Sequence, residues 1–289
     1  MAPISKSIAT MSYRILATTD LSTNSKTGLR FAIQLASQTG AEIVFFHIAD
    51  ISKPAPWSDK KYPDYEKTEV DKKMARLKKF AGKIYDEAEI TPGPGEYEVQ
   101  LGEQVDELII EFAREKNIDL ICMSTRGAGM FRRFIGTHTS SVLSDAPVPV
   151  MAIPKSYRRR AVSKVLYASD FKDLAYELTA IRKITHPLDV RILVYHYTLT
   201  LLKEDEEVIE EKIKVHAAPD VEFRLKPQNL ENTLVENIKE DSAKVNASLI
   251  VMFNHQSNDW VEQLFDTSKS ADLTLDSRLP VLVIPKRKV

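Results

Sequence analysis

Residues 15–22 read ILATTDLS and residues 165–172 read VLYASDFK. Each is an apolar run that ends in hydroxyl residues and an aspartate, Asp20 in one and Asp170 in the other, at an offset of 150. Three more pairs follow in the same order. VFFHIAD (44–50) matches LVYHYTL (193–199), with His47 over His196; LICMSTRG (120–127) matches LIVMFNHQ (249–256); VPVMAIPK (148–155) matches LPVLVIPK (279–286). The offset drops by about 20 only between the second and third pairs. The chain is therefore a duplicated unit whose second copy has lost a segment after its second matched run.

Each matched run is short, apolar and rich in β-branched residues, as a strand buried on both faces must be. The intervening segments step by three and four instead: Val70, Met74, Leu77, Ala81 and Ile84 in one, Val105, Leu108, Ile109 and Phe112 in another. That spacing predicts amphipathic helices. The first copy reads as strands at 13–19, 42–48, 95–101, 119–124 and 148–153, with helices at 22–38, 66–88, 103–116 and about 133–145. The second has strands near 164–169, 190–197, 221–226, 248–253 and 281–284. Alternation of this kind implies right-handed crossovers and parallel pairing. The expected fold class is α/β, with two tandem Rossmann-like domains, each an open parallel five-stranded sheet with helices on both faces. The expected boundaries are a flexible extension at 1–12, a first domain at 13–154, a linker at 155–163 and a second domain at 164–289.

Composition narrows the function. The 289 residues carry 40 basic and 41 acidic side chains, so no global field favours nucleic acid or an anionic membrane. No apolar run approaches a bilayer span. The stretch MAPISKSIATMS lacks the apolar centre of a secretory signal. A single cysteine, Cys122, excludes an internal disulfide, a CxxC redox pair and a cysteine-based zinc site. A cytoplasmic location is expected. Cys122 sits inside an apolar strand and reads as an inert buried thiol.

Nine glycines are present and none lies beyond Gly136, so the two copies cannot share one backbone chemistry. In an open α/β sheet ligands settle beyond the carboxyl ends of the strands where the winding reverses, here between the first and fourth strands. The fourth strand runs into MSTRGAGMFRRFIGTHTS (123–140), the one glycine-rich turn that enters a helix. Gly127, Gly129 and Gly136 permit close backbone approach, and the free N–H groups of a helix start favour a phosphate. The same glycines could equally make a tight turn, with Thr137 as a helix cap.

This segment resembles the universal stress protein family in tandem form, and the likeness covers nearly the whole chain. The family's nucleotide signature is glycine-x-x-glycine, a spacer, then glycine with Ser or Thr. STRG, the eight residues AGMFRRFI and GTHT stand in that place, with Ser124 for the first glycine and a spacer one residue short. The resemblance implies adenine and ribose contacts from Thr19, Asp20 and Ile48. It implies a phosphate-side loop of Met123, Ser124, Arg126, Gly127, Gly136, Thr137, His138 and Thr139. It also implies ATP, with or without Mg²⁺, as the ligand, no catalytic residue, and a role in stress response through ligand-dependent interaction with an unidentified protein partner. Slow ATP hydrolysis is an open side activity. The matching segment of the second copy, NHQSNDWVEQLFDTS, puts Gln256 and Asp266 where glycines stand, so no nucleotide is expected there in that mode.

Two other functions compete. An interaction module that binds no nucleotide is compatible with Ser124 and the short spacer. An enzyme of the related nucleotide α-hydrolase architecture would need signatures of the SGGxDS, HIGH or KMSKS type, which are absent.

Several residues also have plain structural readings. Asp20 and Asp170 precede helices and read as caps. His47 and His196 read as relics of the duplication, His138 as a phosphate contact or a solvated side chain, and Arg158 to Arg160 as a solvated linker. VPVMAIP and LPVLVIP read as edge strands that need cover. In the resembled family such strands pair across a two-fold axis, which implies an internal pseudo-dimer here, with further homodimerisation left open.

Overall fold

The computed structural model describes residues 13–50, 62–125, 137–185, 188–198, 203–229, 231–254 and 278–285. Strands form where the apolar runs stand: β1 (Arg14–Thr18), β2 (Glu42–Ala49), β3 (Gly95–Leu101), β4 (Leu120–Ser124) and β5 (Val150–Ile153) in the first half. The second half repeats them as β6 (Lys164–Ala168), β7 (Arg191–Thr198), β8 (Val221–Pro227), β9 (Leu249–Asn254) and β10 (Val281–Pro285). Helices α1 (Lys26–Thr39), α2 (Tyr62–Ala88), α3 (Val105–Glu115) and α4 (Thr137–Asp145) belong to the first half. Helices α5 (Leu174–Thr185), α6 (Lys203–His216) and α7 (Leu234–Lys244) belong to the second. The segment lost after the second strand shows in α6, which has 14 residues against 27 in α2.

All ten strands join one sheet in the order β3-β2-β1-β4-β5-β10-β9-β6-β7-β8. Pairing within each half is parallel, with β1 between β2 and β4 and β6 between β7 and β9. The winding therefore reverses beside β1, where the sequence placed it. The halves meet where β5 and β10 pair antiparallel, Val281 opposite Ala152, Leu282 opposite Met151 and Val283 opposite Val150. These strands are edges only of their own halves; in the chain each covers the other's backbone. Pro149 and Pro280 lie one residue before the strands and accept through their carbonyls from the Ile121 and Ile250 N–H groups, at 3.0 and 3.1 Å. Their missing N–H groups cost no ladder bond. The outer strands are β3 and β8, which carry Glu96, Glu98, Glu222, Arg224 and Lys226, and charge on an edge discourages pairing with another sheet.

Successive strand residues face opposite ways. Ile15 and Ala17 enter one apolar layer with Leu29, Phe31, Leu77 and Ile84, and Leu16 enters the other with Ile109, Phe112 and Val142. Both layers continue through the second half, the first taking in Val165, Val251 and Leu282, the second Leu166, Ile250 and Val283. A fully buried aliphatic side chain contributes about 1.5–3 kcal/mol. The junction at Met151, Leu282 and Val283 is thus part of the core.

Arg158 and Arg159 are exposed, as the charge run suggested, but Arg159 and the half-buried Arg160 also bond to the rest of the fold. Arg159 donates to the Ala88 carbonyl and Arg160 to the Ala247 carbonyl, with a second Arg160 contact to Asn246 Oδ1 at 3.2 Å. Ala88 ends α2 and Ala247 lies just beyond α7. The Ala88 carbonyl lacks an intrahelical donor and carries the negative end of the helix dipole, so a guanidinium is a fitting partner. Tyr157 meets Phe31 edge-on at 5.4 Å and donates to Gln34 at 3.0 Å, while Gln34 donates to the Arg160 carbonyl at 2.6 Å.

Candidate functional site

The chain leaves β1 through a tight turn. Thr19 N–H donates to the Phe46 carbonyl at 2.9 Å, which ties the turn to β2. The Asp20 carboxylate accepts from Ser22 N–H at 2.9 Å and the Thr19 hydroxyl accepts from Leu21 N–H at 3.0 Å. These bonds hold Leu21 at φ 60°, a region a bulky residue seldom occupies. The second half repeats the turn: Asp170 accepts from Lys172 N–H, Ser169 from Phe171 N–H, both at 3.0 Å, and Phe171 has φ 61°. The aspartates therefore cap the turn and not the helix; in the first half α1 starts only at Lys26, four residues beyond the Ser22 N–H that Asp20 takes. Ser25 precedes α1 but caps nothing; its hydroxyl is 2.7 Å from Thr19 Oγ1 and donates to the Ser22 carbonyl at 2.9 Å.

The missing cap of α1 comes from β4. Ser124 Oγ accepts from Gly28 N–H at 2.8 Å, one of the four N–H groups a helix start leaves without an internal partner, and donates to the Ser25 carbonyl at 3.2 Å. Only glycine fits at 28, since a Cβ there would lie 2.8 Å from Ser124 N. Ser124 thus uses its hydroxyl to seat α1 on β4.

Beyond the ends of β1 and β4 lies a cavity of about 190 Å³. One wall is apolar: Phe46, Ile48, Val105, Ile109 and Met123. The Phe46 ring is stacked on Phe112 at 4.4 Å, which fixes that wall. The rest is hydroxyl-rich, with Thr18, Thr19, Ser25, Ser124 and Thr139 beside Asp20 and His138. Helix α4 begins at this rim. Thr139 is buried and donates to the Ser124 carbonyl at 3.3 Å, and His138 Nδ1 stands 3.1 Å from Asp106 Oδ1. Burial alone would raise the Asp106 carboxyl, but hydrogen bonds from Ser141, its own backbone and His138 hold it below the usual carboxylate range.

Of the residues singled out in the sequence, Thr19, Asp20, Ile48, Met123, Ser124, His138 and Thr139 line this one cavity. Arg126, Gly127 and Gly136 fall outside the described residues, as do Gln256 and Asp266. Thr137 is the first residue of α4. The sequence reading missed Thr18, Ser25, Phe46, Val105 and Ile109. Periodicity held the clue: Phe46 lies two residues before Ile48 and so shares its strand face, and Val105 and Ile109 lie one helical turn apart.

The histidines at the ends of β2 and β7 have work in the fold. His47 Nδ1 donates to the Thr19 carbonyl and His196 Nδ1 to the Ser169 carbonyl, each at 2.9 Å, so each pins the turn described above. A carbonyl only accepts, which puts the proton on Nδ1 and leaves the buried His47 Nε2 without a hydrogen-bond partner. Burial, with Lys73 and Arg76 adding to it, pulls the His47 pKa below its usual 6.5 against the effect of the Thr19 bond. Cys122 is fully buried, and burial pushes its thiol pKa well up, as an inert core thiol requires.

The second half has no matching helix seat. Phe253, Glu177 and Leu178 stand where Ser124, Thr27 and Gly28 stand in the first. Phe253 meets Tyr167 edge-on at 5.5 Å. Glu177 is fully buried; Oε2 accepts from Ser169 at 3.2 Å and Oε1 has no hydrogen-bond partner. Among the described residues no group of three His, Cys, Asp or Glu could hold a metal, and no helix is long and apolar enough to cross a membrane.

Comparison with known proteins agrees with this architecture. The sequence model of the universal stress protein family matches residues 11–154. A universal stress protein of Methanocaldococcus jannaschii is 28% identical over 149 residues, covering 49% of this chain and 82% of that protein. The crystal structure of a universal stress protein from Archaeoglobus fulgidus superposes on 94% of this chain and 96% of its own, with TM-score 0.63 and 21% identity. A functionally unknown protein from Pseudomonas aeruginosa gives TM-score 0.61 at 14% identity, covering 95% of this chain and 93% of that one. Both structures share the fold across the two halves.

Proposed function

Through residues 11–154 the chain belongs to the universal stress protein family, and from that premise we propose that the crevice between β1 and β4 binds an adenine nucleotide, ATP in particular. The purine lies against Phe46, Ile48, Val105, Ile109 and Met123, and Asp20 faces the ribose hydroxyls. The phosphates run toward the start of α4, whose free N–H groups favour negative charge. Thr139 and His138 flank them, and Arg126, Gly127, Gly136 and Thr137 complete the loop. The observation that carries this reading is that seven of the residues the family resemblance implies line one cavity. An apolar wall beside hydroxyl groups supports a nucleoside as the occupant. Mg²⁺, bound together with ATP, would be held through phosphate oxygens and water with one or two protein oxygens at most.

The second domain, 164–289, binds no nucleotide in this mode and is joined to the first, 13–154, by 155–163. The protein works in the cytoplasm as a binding protein, and the nucleotide changes its partners or its conformation in stress response. Isothermal titration with ATP at about 100 μM protein is the test. Absence of heat means a dissociation constant weaker than about millimolar and leaves the interaction module that binds no nucleotide. Gly136→Asp sets charge and bulk at the helix start and is expected to abolish binding with the melting curve unchanged. Unchanged affinity would overturn the placement of the phosphates.

A further inference from the structure

Helix α4 presents His138 and Thr139 to the cavity at one end, and its other end is held by the second half. Asn254, the last residue of β9, donates through Nδ2 to the Ser144 carbonyl at 2.9 Å and to the Leu143 carbonyl at 3.4 Å. Both carbonyls belong to the last turn of α4, where no intrahelical N–H is left to meet them. The amide orientation follows from the chemistry, because two carbonyls can be satisfied only by the NH₂ side of the group. The residue matching Asn254 in the first half is Thr125, which offers a hydroxyl in place of an amide.

We infer that Asn254 is a positioning residue by which the second half holds the first half's ligand site in register. This rests on the nucleotide reading above. Helix α4 has nine residues, a rod of about 13 Å, short enough to move as one body. Its cavity end is fixed by Thr139 to the Ser124 carbonyl and by His138 to Asp106, and its far end by Asn254. The β5–β10 pairing puts the two halves in one sheet, so β9 is a rigid mount for that far end. Removing the amide donors uncovers two carbonyls at the negative end of the helix dipole and loosens the far end of α4 about its packed middle at Val142 and Leu143, which shifts the N–H groups that face the phosphates. A half that binds no nucleotide of its own would thereby set the affinity of its sibling.

The test uses the full chain. Asn254→Asp keeps the shape, removes both donors and sets a carboxylate against the helix end. Asn254→Ser removes the reach without adding charge, and repeats the measurement should the aspartate unsettle the fold. Asn254→Gln retains the donors. ATP and adenosine affinities are measured by titration, and amide hydrogen exchange is followed across 137–145. The expected result for Asn254→Asp is ATP binding weaker by about tenfold, equal to about 1.4 kcal/mol. Adenosine, which lacks the phosphates, changes by less than about twofold, exchange across α4 quickens, and Asn254→Gln stays near the wild type. Equal weakening of ATP and adenosine, or unchanged ATP affinity with unchanged α4 exchange, overturns the inference. If the wild type binds no ATP, the nucleotide reading fails, and α4 exchange in the variants still decides whether Asn254 holds the helix.

Discussion

Gly28 and Gly82 both lie in helices, yet the same substitution should act on them with opposite sign. A Cβ at Gly82 meets nothing within 4 Å, so Gly82→Ala brings the ordinary gain of alanine over glycine in a helix, about 1 kcal/mol. A Cβ at Gly28 lies 2.8 Å from both Ser124 N and Ser124 Oγ and 3.1 Å from the Met123 carbonyl carbon. Two of those atoms are backbone of β4, an interior strand paired on both sides, and cannot step aside. Helix α1 must move off the sheet instead. Overpacking costs about 1–3 kcal/mol, and lengthening the 2.8 Å bond from Gly28 N–H to Ser124 strands a buried donor at about 1–3 kcal/mol more. Set against about 1 kcal/mol of helix propensity, the net loss is about 3 kcal/mol. For a protein of this size that lowers Tm by about 6–12 °C. Urea titration and thermal melts of the two variants measure both effects. Adding Ser124→Gly to Gly28→Ala should rescue only in part, since the Ser124 N contact stays. A Gly28→Ala protein as stable as the wild type would show that α1 does not sit on β4 as described.

Further expectations follow from the same geometry. Ser124→Ala leaves the Gly28 N–H buried without an acceptor and should cost about 1–3 kcal/mol by denaturant titration, with nucleotide affinity changed much less because the hydroxyl serves the helix. His47 has its pKa lowered in the fold and so stays neutral there, while the unfolded chain takes up the proton near pH 6.5. The unfolded state then binds more protons, so this contribution to stability is intact above about pH 6.5 and is lost as pH falls from there through the folded value. In His47→Asn the stability difference between pH 7.5 and pH 5 should shrink; equal slopes for variant and wild type would refute the assignment.

The strands were legible because burial on both faces leaves a strong mark: LICMS in β4 is buried at every residue, and no helix with a polar face can be written that way. The duplication supplied the rest, since two copies in one order fix each other's elements. Partnerships were harder to read. The sequence put Asp20 before a helix, and the carboxylate was free to choose a nearer N–H, Ser22, so the turn took it. Arg159 and Arg160 look like a solvated run, because nothing in a charge pattern tells which helix carbonyls folding will bring within reach. The apolar wall of the cavity was missed for a different reason: Phe46, Val105 and Ile109 look like any core residue until the topology sets their faces side by side.

Duplication also separates fold from function inside one molecule. Whatever both halves share is required by the architecture, or at least survives without a ligand loop. By that standard the bent turn at Leu21 and Phe171, the aspartates that close it and the histidines that pin it are structural, since each occurs twice with matching hydrogen bonds. The left-handed asparagines that end α3 and α7, Asn117 at φ 49° and Asn246 at φ 53°, belong with them. What differs is the contact between the first helix and the fourth strand. Gly28 and Ser124 draw α1 down onto β4, whereas the matching positions of the second half carry Leu178 and Phe253, both buried. A helix drawn close brings Ser25 to the rim of the crevice, where it lines the cavity with Thr19 and Asp20. Strain at Leu21 alone is therefore a poor guide to the site, although strained residues often mark one. The glycine seat is the better guide, because it is the contact that sets α1, and with it Ser25, beside the crevice.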